Sequence, residues 1–143
     1  MEIALFGRRA DELAARAGVE LLAAADSVPY RSGAWRLLAL TRDGAARAQG
    51  SPLRCHTLLL PGDGGTPESA LTAEQVIAYG FSPRDTLTFS SVSGGILCIQ
   101  RRLVRLDGTE IEPQERVLDE DLRDLAEEHA LLLAGIRLLC ARD

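Results

Sequence analysis

The sequence predicts one α/β domain of three layers, with a mainly parallel sheet, an antiparallel hairpin extension at one edge and a C-terminal helix. Three observations predict it. Strand-like and helix-like runs alternate over residues 2–25, the opening of a βαβ unit, whose strands pair in parallel. Residues 85–117 alternate polar and apolar side chains and are interrupted by Gly94-Gly95 and Asp107-Gly108, as antiparallel strands are. Residues 119–141 place apolar side chains three and four apart, the period of a helix packed on one face.

Residues 2–6 are an apolar run the length of a buried strand. Gly7 turns the chain into RRADELAARAG, where Ala10, Leu13, Ala14 and Ala17 share a face and Gly18 stops the helix. Residues 19–25 read as a second strand and 26–34 as loop. Residues 35–41 read as a third strand, followed by a turn at Asp43-Gly44 and one helical turn over 45–49; a helix over 34–48 is the competing reading. Residues 54–60 form a stronger strand, ended by Pro-Gly-Asp-Gly-Gly at 61–65. Thr66-Pro67-Glu68 has the form of an N-cap with proline at the first helical position, opening a short helix through Leu71.

Val76-Ile77-Ala78-Tyr79 reads as a buried strand stopped by Gly80. Residues 85–91 and 96–106 are the next two strands. Asp107-Gly108 predicts a two-residue hairpin turn, which sets Leu106 opposite Thr109, Arg105 opposite Glu110 and Val104 opposite Ile111. The closing helix, residues 119–141, crowds its acids at the N-terminal end and carries Arg137 and Arg142 near the other, as the helix dipole favours. Leu122, Leu125, His129, Leu132, Ile136 and Leu139 form its stripe. Ala126, Leu133 and Cys140 widen that stripe, so its expected partner is the protein's own sheet. Leu131 or Leu138 is left outside, which points to a homodimer covering it.

The 143 residues are 46% hydrophobic, enough for one domain over 1–143 that buries about two-thirds of its unfolded surface. No run approaches ~18 uninterrupted apolar residues, so no membrane span is expected. Cys55, Cys98 and Cys140 are far apart with no C-x-x-C, the usage of reduced thiols in a cytoplasmic protein. Residues 1–60 carry eight Arg against six acids, and residues 61–143 eight Arg against fifteen. Neither half offers the basic face that nucleic acid requires. The chain holds no Lys and no Asn. That removes the P-loop lysine, the Schiff-base lysine and the lysine general base. The abundance of Ala, Arg, Gly and Leu fits a GC-rich, bacterial genome.

Ligands of open α/β sheets sit beyond the carboxyl ends of the strands. The Gly-rich loop after residue 60 is therefore the best candidate site, with Gly62, Asp63 and Gly64. Gly7 and Arg8 at the first strand's end are a second contributor, suited to a small anion such as a nucleotide. The G-x-G-x-x-G fingerprint is absent there, and a tight turn beside solvated arginines is the plainer reading. Cys55 and His56 are adjacent on a strand and point to opposite faces, so they do not form a nucleophile-and-base pair. Ser90, Ser91 and Ser93 lack a nucleophile elbow. Two histidines and three scattered cysteines make no metal site. Glu110, Glu112 and Glu115 read as a solvated edge.

Val76-Ile77-Ala78-Tyr79-Gly80-Phe81, then Asp85 and the strands around Gly94-Gly95, resemble the end of the nucleotide-binding central domain of the Mur ligases. The resemblance covers about a third of the chain. It implies a Rossmann-like scaffold without the engine, because the family's P-loop lysine, modified lysine and histidine-asparagine pair have no counterpart. The expectation is thus a Rossmann-like body without a cofactor. Its first expected role is a non-catalytic interaction module or homodimer, and the alternative is a small-ligand site at the strand ends. An enzyme using Cys55 or the acidic hairpin stands last.

Overall fold

The computed structural model describes residues 3–20, 23–25, 35–48, 54–63, 72–90 and 95–141. An eight-stranded sheet contains β1 (Ile3–Phe6), β2 (Ala23–Ala25), β3 (Trp35–Leu40), β4 (Cys55–Pro61), β5 (Ala73–Tyr79), β6 (Leu87–Phe89), β7 (Ile96–Ile99) and β10 (Gln114–Val117). A separate two-stranded sheet pairs β8 (Leu103–Val104) with β9 (Glu110–Ile111). Among the described residues the helices are α1 (Ala10–Ala14), α2 (Arg42–Arg47) and α3 (Glu127–Cys140), with a 3-10 turn at Glu120–Leu122. The expected helix opening at Thr66 and the loop 26–34 lie outside the described residues.

Strand order across the large sheet is β10-β7-β6-β5-β4-β3-β1-β2. Strands β1 to β6 are parallel, and β7 and β10 add an antiparallel edge. The central strands are apolar on both faces, as strands buried on both sides must be. On one face Leu5, Leu37, Leu59, Ile77 and Tyr79 join Leu13 and Ala17 and the buried side of α3. On the other Phe6, Leu38, Leu40, Leu58 and Leu60 pack with Ala45 and Ala48 at α2. Helices α1 and α2 therefore lie on opposite faces.

Strand β6 meets β5 through a single parallel bridge, Tyr79 to Leu87, across a link of seven residues. So short a link suffices because β6 starts where β5 ends, so the chain never has to return. Asp85 folds it: its N–H donates to Ser82 O at 3.0 Å, its carboxylate accepts from Ser82 N at 3.0 Å, and Gln100 Nε2 donates to its carbonyl at 2.6 Å. That carboxylate packs against the backbone of Gly62 and Gly80, where a Cβ would lie 1.8 Å and 2.5 Å from its oxygens.

The hairpin differs from the sequence expectation by one residue. Leu103 pairs with Ile111 and Val104 with Glu110, so Arg105 faces Thr109. The loop has three residues, with Gly108 at φ 92 after a turn closed by Gly108 N to Arg105 O at 3.0 Å. This is a type I turn with a bulge glycine, which an Asp-Gly pair serves as well as the two-residue turn. The slip turns Arg105 inward, and Glu110 pairs with Arg102 at 3.3 Å instead. The expected strand 96–106 is also broken at 100–102, which frees β8 to leave the large sheet. The side chain of Gln75 ties it back, accepting from Val104 N and donating to Val104 O, both at 2.8 Å.

Helix α3 starts eight residues later than the sequence suggested. A continuous helix from Asp119 would stack Glu120 on Asp124 and Asp124 on Glu128, like charges four apart. Instead Asp119 and Asp121 fold back onto Arg137, at 2.9 and 2.7 Å, and Asp124 takes Arg16 at 2.7 Å. Arg137 also donates to the carbonyls of Arg16 and Ala17, closing the end of the α1 segment. Leu131 and Leu138 are buried within the chain, at 0% and 6% exposure, so neither awaits a second copy.

Gly135 sets the distance between α3 and the sheet, since a Cβ there would lie 3.0 Å from side-chain atoms of both Leu59 and Leu87. Gly135→Leu is expected to destabilise the fold by about 1–3 kcal/mol through overpacking, read as a lower urea midpoint at unchanged slope.

A second outcome concerns acid. Asp121 and Asp124 are held below the usual carboxylate range, chiefly by the hydrogen bonds from Arg137 and Arg16 respectively. Depressed folded values mean their stabilisation is complete above the unfolded pKa of about 3.9 and is lost as pH falls through the folded values. The urea midpoint should therefore drop below about pH 4, and Arg137→Gln should shrink that drop.

Candidate crevice at the strand ends

The order β2-β1-β3-β4 means that the chain leaves β1 towards one edge of the sheet and β3 towards the other. The loops after β1 and β3 diverge, and such a reversal is where open α/β sheets form a crevice. Here it has a volume of about 410 Å³ and is lined by Arg8, Arg9, Thr41, Arg42, Asp43, Ala46, Glu128 and His129. The first residues come from the end of β1 and the next from the end of β3. The last two come from the first turn of α3, which lies across the strand ends.

Close backbone approach builds the floor. Gly7 has φ 131, and a Cβ on it would lie 1.7 Å from Thr41 Oγ1; one on Gly44 would lie 2.2 Å from Phe6 O. Only glycine on both sides allows the β1 loop to rest on the start of α2. Thr41 caps that helix, its Oγ1 accepting from Gly44 N at 3.0 Å. Beneath, the hydroxyl of buried Tyr79 donates to Leu40 O at 2.7 Å, and burial pushes the phenol's pKa above its ordinary value.

Most of the charge around the rim is already committed. Arg42 reaches Asp63 at 2.7 Å and Glu128 at 2.9 Å, tying the ends of β3 and β4 to α3. The Arg42 hydrogen bond holds Asp63 below the usual carboxylate range. Arg9 pairs with Glu12 at 3.0 Å, and Asp43 lies 3.3 Å from Arg47. Several backbone donors are committed too. Gly7 N bonds Ala25 O, Ala10 N bonds Gly7 O, and Arg8 N donates to the Asp43 carboxylate at 2.9 Å. Among the described residues, the guanidinium of Arg8 and the ring of His129 have no hydrogen-bonded or ionic partner.

Of the residues expected at the site, the structure brings Gly7, Arg8 and Asp63 to this end of the sheet. Gly62 lies beside them but serves as the seat of Asp85, and Gly64 lies outside the described residues. Thr41, Arg42, Asp43, Glu128 and His129 were missed. The strand-end rule that selected residues 62–64 applies equally to the end of the third strand, and would have found the first three.

The cysteines sit elsewhere. Burial pushes the Cys55 thiol up to about 12 and Cys140 to about 11, and burial with Glu115 nearby raises Cys98. His56 bonds Thr57 Oγ1 at 2.9 Å and lies 3.1 Å from Glu74 on the next strand. No group of three or more His, Cys, Asp or Glu suited to a metal occurs among the described residues. A thiol with a raised pKa is a poor nucleophile near neutral pH. Alkylation at pH 7 is expected to be slow at all three cysteines and slowest at Cys55, becoming uniform in denaturant; one fast-labelling cysteine in the native protein would contradict this.

No family model, curated protein or solved structure matches the chain.

Proposed function

We propose that this protein binds a small anionic ligand in the crevice between the ends of β1 and β3. One observation carries the reading: at the reversal of strand order, Arg8 and His129 line an open crevice with no partner of their own among the described residues. A volume near 410 Å³ falls in the range of small-molecule sites. The finer fold belongs to the same proposal: a doubly wound, three-layer, Rossmann-like body, supported by the opposite placement of α1 and α2. The Mur ligase likeness stays with it as a scaffold alone, resting on the strand that ends at Tyr79. The three free thiols suit a cytoplasmic setting, and no helix among the described residues is long and apolar enough to cross a membrane.

The competing role, an interaction module or homodimer, has lost its motive in α3. The open edge at β10 does not replace it. Symmetric antiparallel pairing of that edge centred on Glu115 or Arg116 would set the residue against its own copy, and like charges directly opposite disfavour pairing.

A thermal-shift panel of small carboxylates, phosphates, sugar phosphates and nucleotides tests the reading. A ligand at a hundred times its Kd adds about 2.7 kcal/mol, which raises Tm by roughly 5 °C or more in a domain of this size. Arg8→Gln and His129→Gln should each remove the rise while leaving the unliganded Tm within a degree or two of wild type. A flat panel, or a rise that survives both substitutions, rejects it.

A further inference from the structure

The rim of the crevice also bears on what kind of anion it takes. An α/β site for phosphate presents free backbone N–H groups and unneutralised cations. Here four of the backbone donors, Gly7 N, Arg8 N, Ala10 N and Gly44 N, are bonded within the chain, which leaves those of Arg9, Arg42 and Asp43. The Asp43 carboxylate sits on Arg8 N, where an oxygen of a bound anion would otherwise lie. Arg42 is neutralised twice over by Asp63 and Glu128, and Arg9 by Glu12. Arg8 is left as the one cation lining the crevice with no carboxylate on it among the described residues, and His129 as a hydrogen-bond donor beside it.

We propose that the crevice is selective for a small carboxylate with a single negative charge, and that Asp63 and Glu128 act as the residues excluding phosphates. The inference rests on the ligand-binding reading above. A planar carboxylate matches the fork of one guanidinium with two parallel hydrogen bonds and needs no second cation. A phosphate monoester or nucleoside triphosphate brings two or more charges. It would meet Asp63 and Glu128, which together exceed Arg42 by one negative charge, with Asp43 already offset by Arg47 and Arg8 alone left to balance the excess and the ligand, a repulsion that salt screens.

The test titrates wild type and the double variant Asp63→Asn, Glu128→Gln with acetate, lactate, succinate, inorganic phosphate and ATP at low and at physiological salt. Wild type is expected to bind a monocarboxylate at least about tenfold more tightly than phosphate or ATP. The double variant, with Arg42 released, should gain roughly five- to tenfold in phosphate affinity, more at low salt than at high. A wild type that prefers phosphate or ATP leaves the ligand site standing and overturns the selectivity. A double variant that binds carboxylate normally but gains nothing for phosphate overturns the role of the two acids. A wild type that binds none of the five, nor anything in the wider panel, overturns both readings together.

Discussion

The burial of α3 on every side is the constraint from which most of the architecture follows. Nine of its fourteen residues are buried, including seven in succession from Ala130 to Ile136, too many for one stripe facing one sheet. A helix apolar all round must be enclosed. The sheet covers one side, at the close range that Gly135 permits. The β8–β9 hairpin covers the C-terminal end, where Leu106 N donates to Leu139 O at 3.0 Å and Arg36 donates to Leu106 O. The segment after β10 closes a third side, held by Arg137 and Arg16. Residues 100–113 and 118–125, on either side of β10, thus depart from the large sheet because α3 needs covering, and each covering piece is fixed by a polar bond to carbonyl or carboxylate as well as by apolar contact.

Arg137 joins these covers. Its guanidinium satisfies Asp119, Asp121 and two carbonyls after α1, so four groups from two distant stretches converge on one planar donor set. Those groups stand 16 to 121 residues away along the chain. A fork of five fixed donors can do this where a lysine could not. The all-Arg composition therefore has a structural use in this chain, whatever its genomic origin.

The elements that local pattern specifies were legible in the sequence. Apolar runs located β1, β3, β4 and β5, and the βαβ opening gave the parallel pairing of β1 with β2. What failed was set by tertiary contact. Asp107-Gly108 is compatible with two turn geometries, and the choice between them turns on whether Arg105 or Val104 faces inward, which the neighbouring α3 decides. The start of α3 failed because the acids of 119–128 read as dipole-favoured helix start, while their partners lay on Arg16 and Arg137. Gly7, Arg8 and Asp63 were legible because strand ends are visible as glycine after an apolar run. Glu128 and His129 were not, because no local pattern states that the first turn of α3 crosses the ends of β1 and β3.

The same economy explains why the crevice is both open and firm. Its walls come from the ends of β1 and β3 and the first turn of α3; Arg42 bonds the β3 end to α3 through Glu128 and to the β4 end through Asp63, and Asp43 bonds it to the β1 loop through Arg8 N. Below, Asp85 braces the ends of β4 and β5 by filling the space that Gly62 and Gly80 leave. Ordering a site at the moment of binding subtracts from affinity, about 0.5–1.5 kcal/mol for each long side chain immobilised. At the proposed site the ordering is done on folding, and among the described lining residues the Arg8 and His129 side chains would remain to be fixed. The carboxylates that hold the walls together are also the charges that the proposed anion would have to pass, so the rigidity of this crevice and its proposed charge selectivity have a common origin in the ion pairs of Arg42.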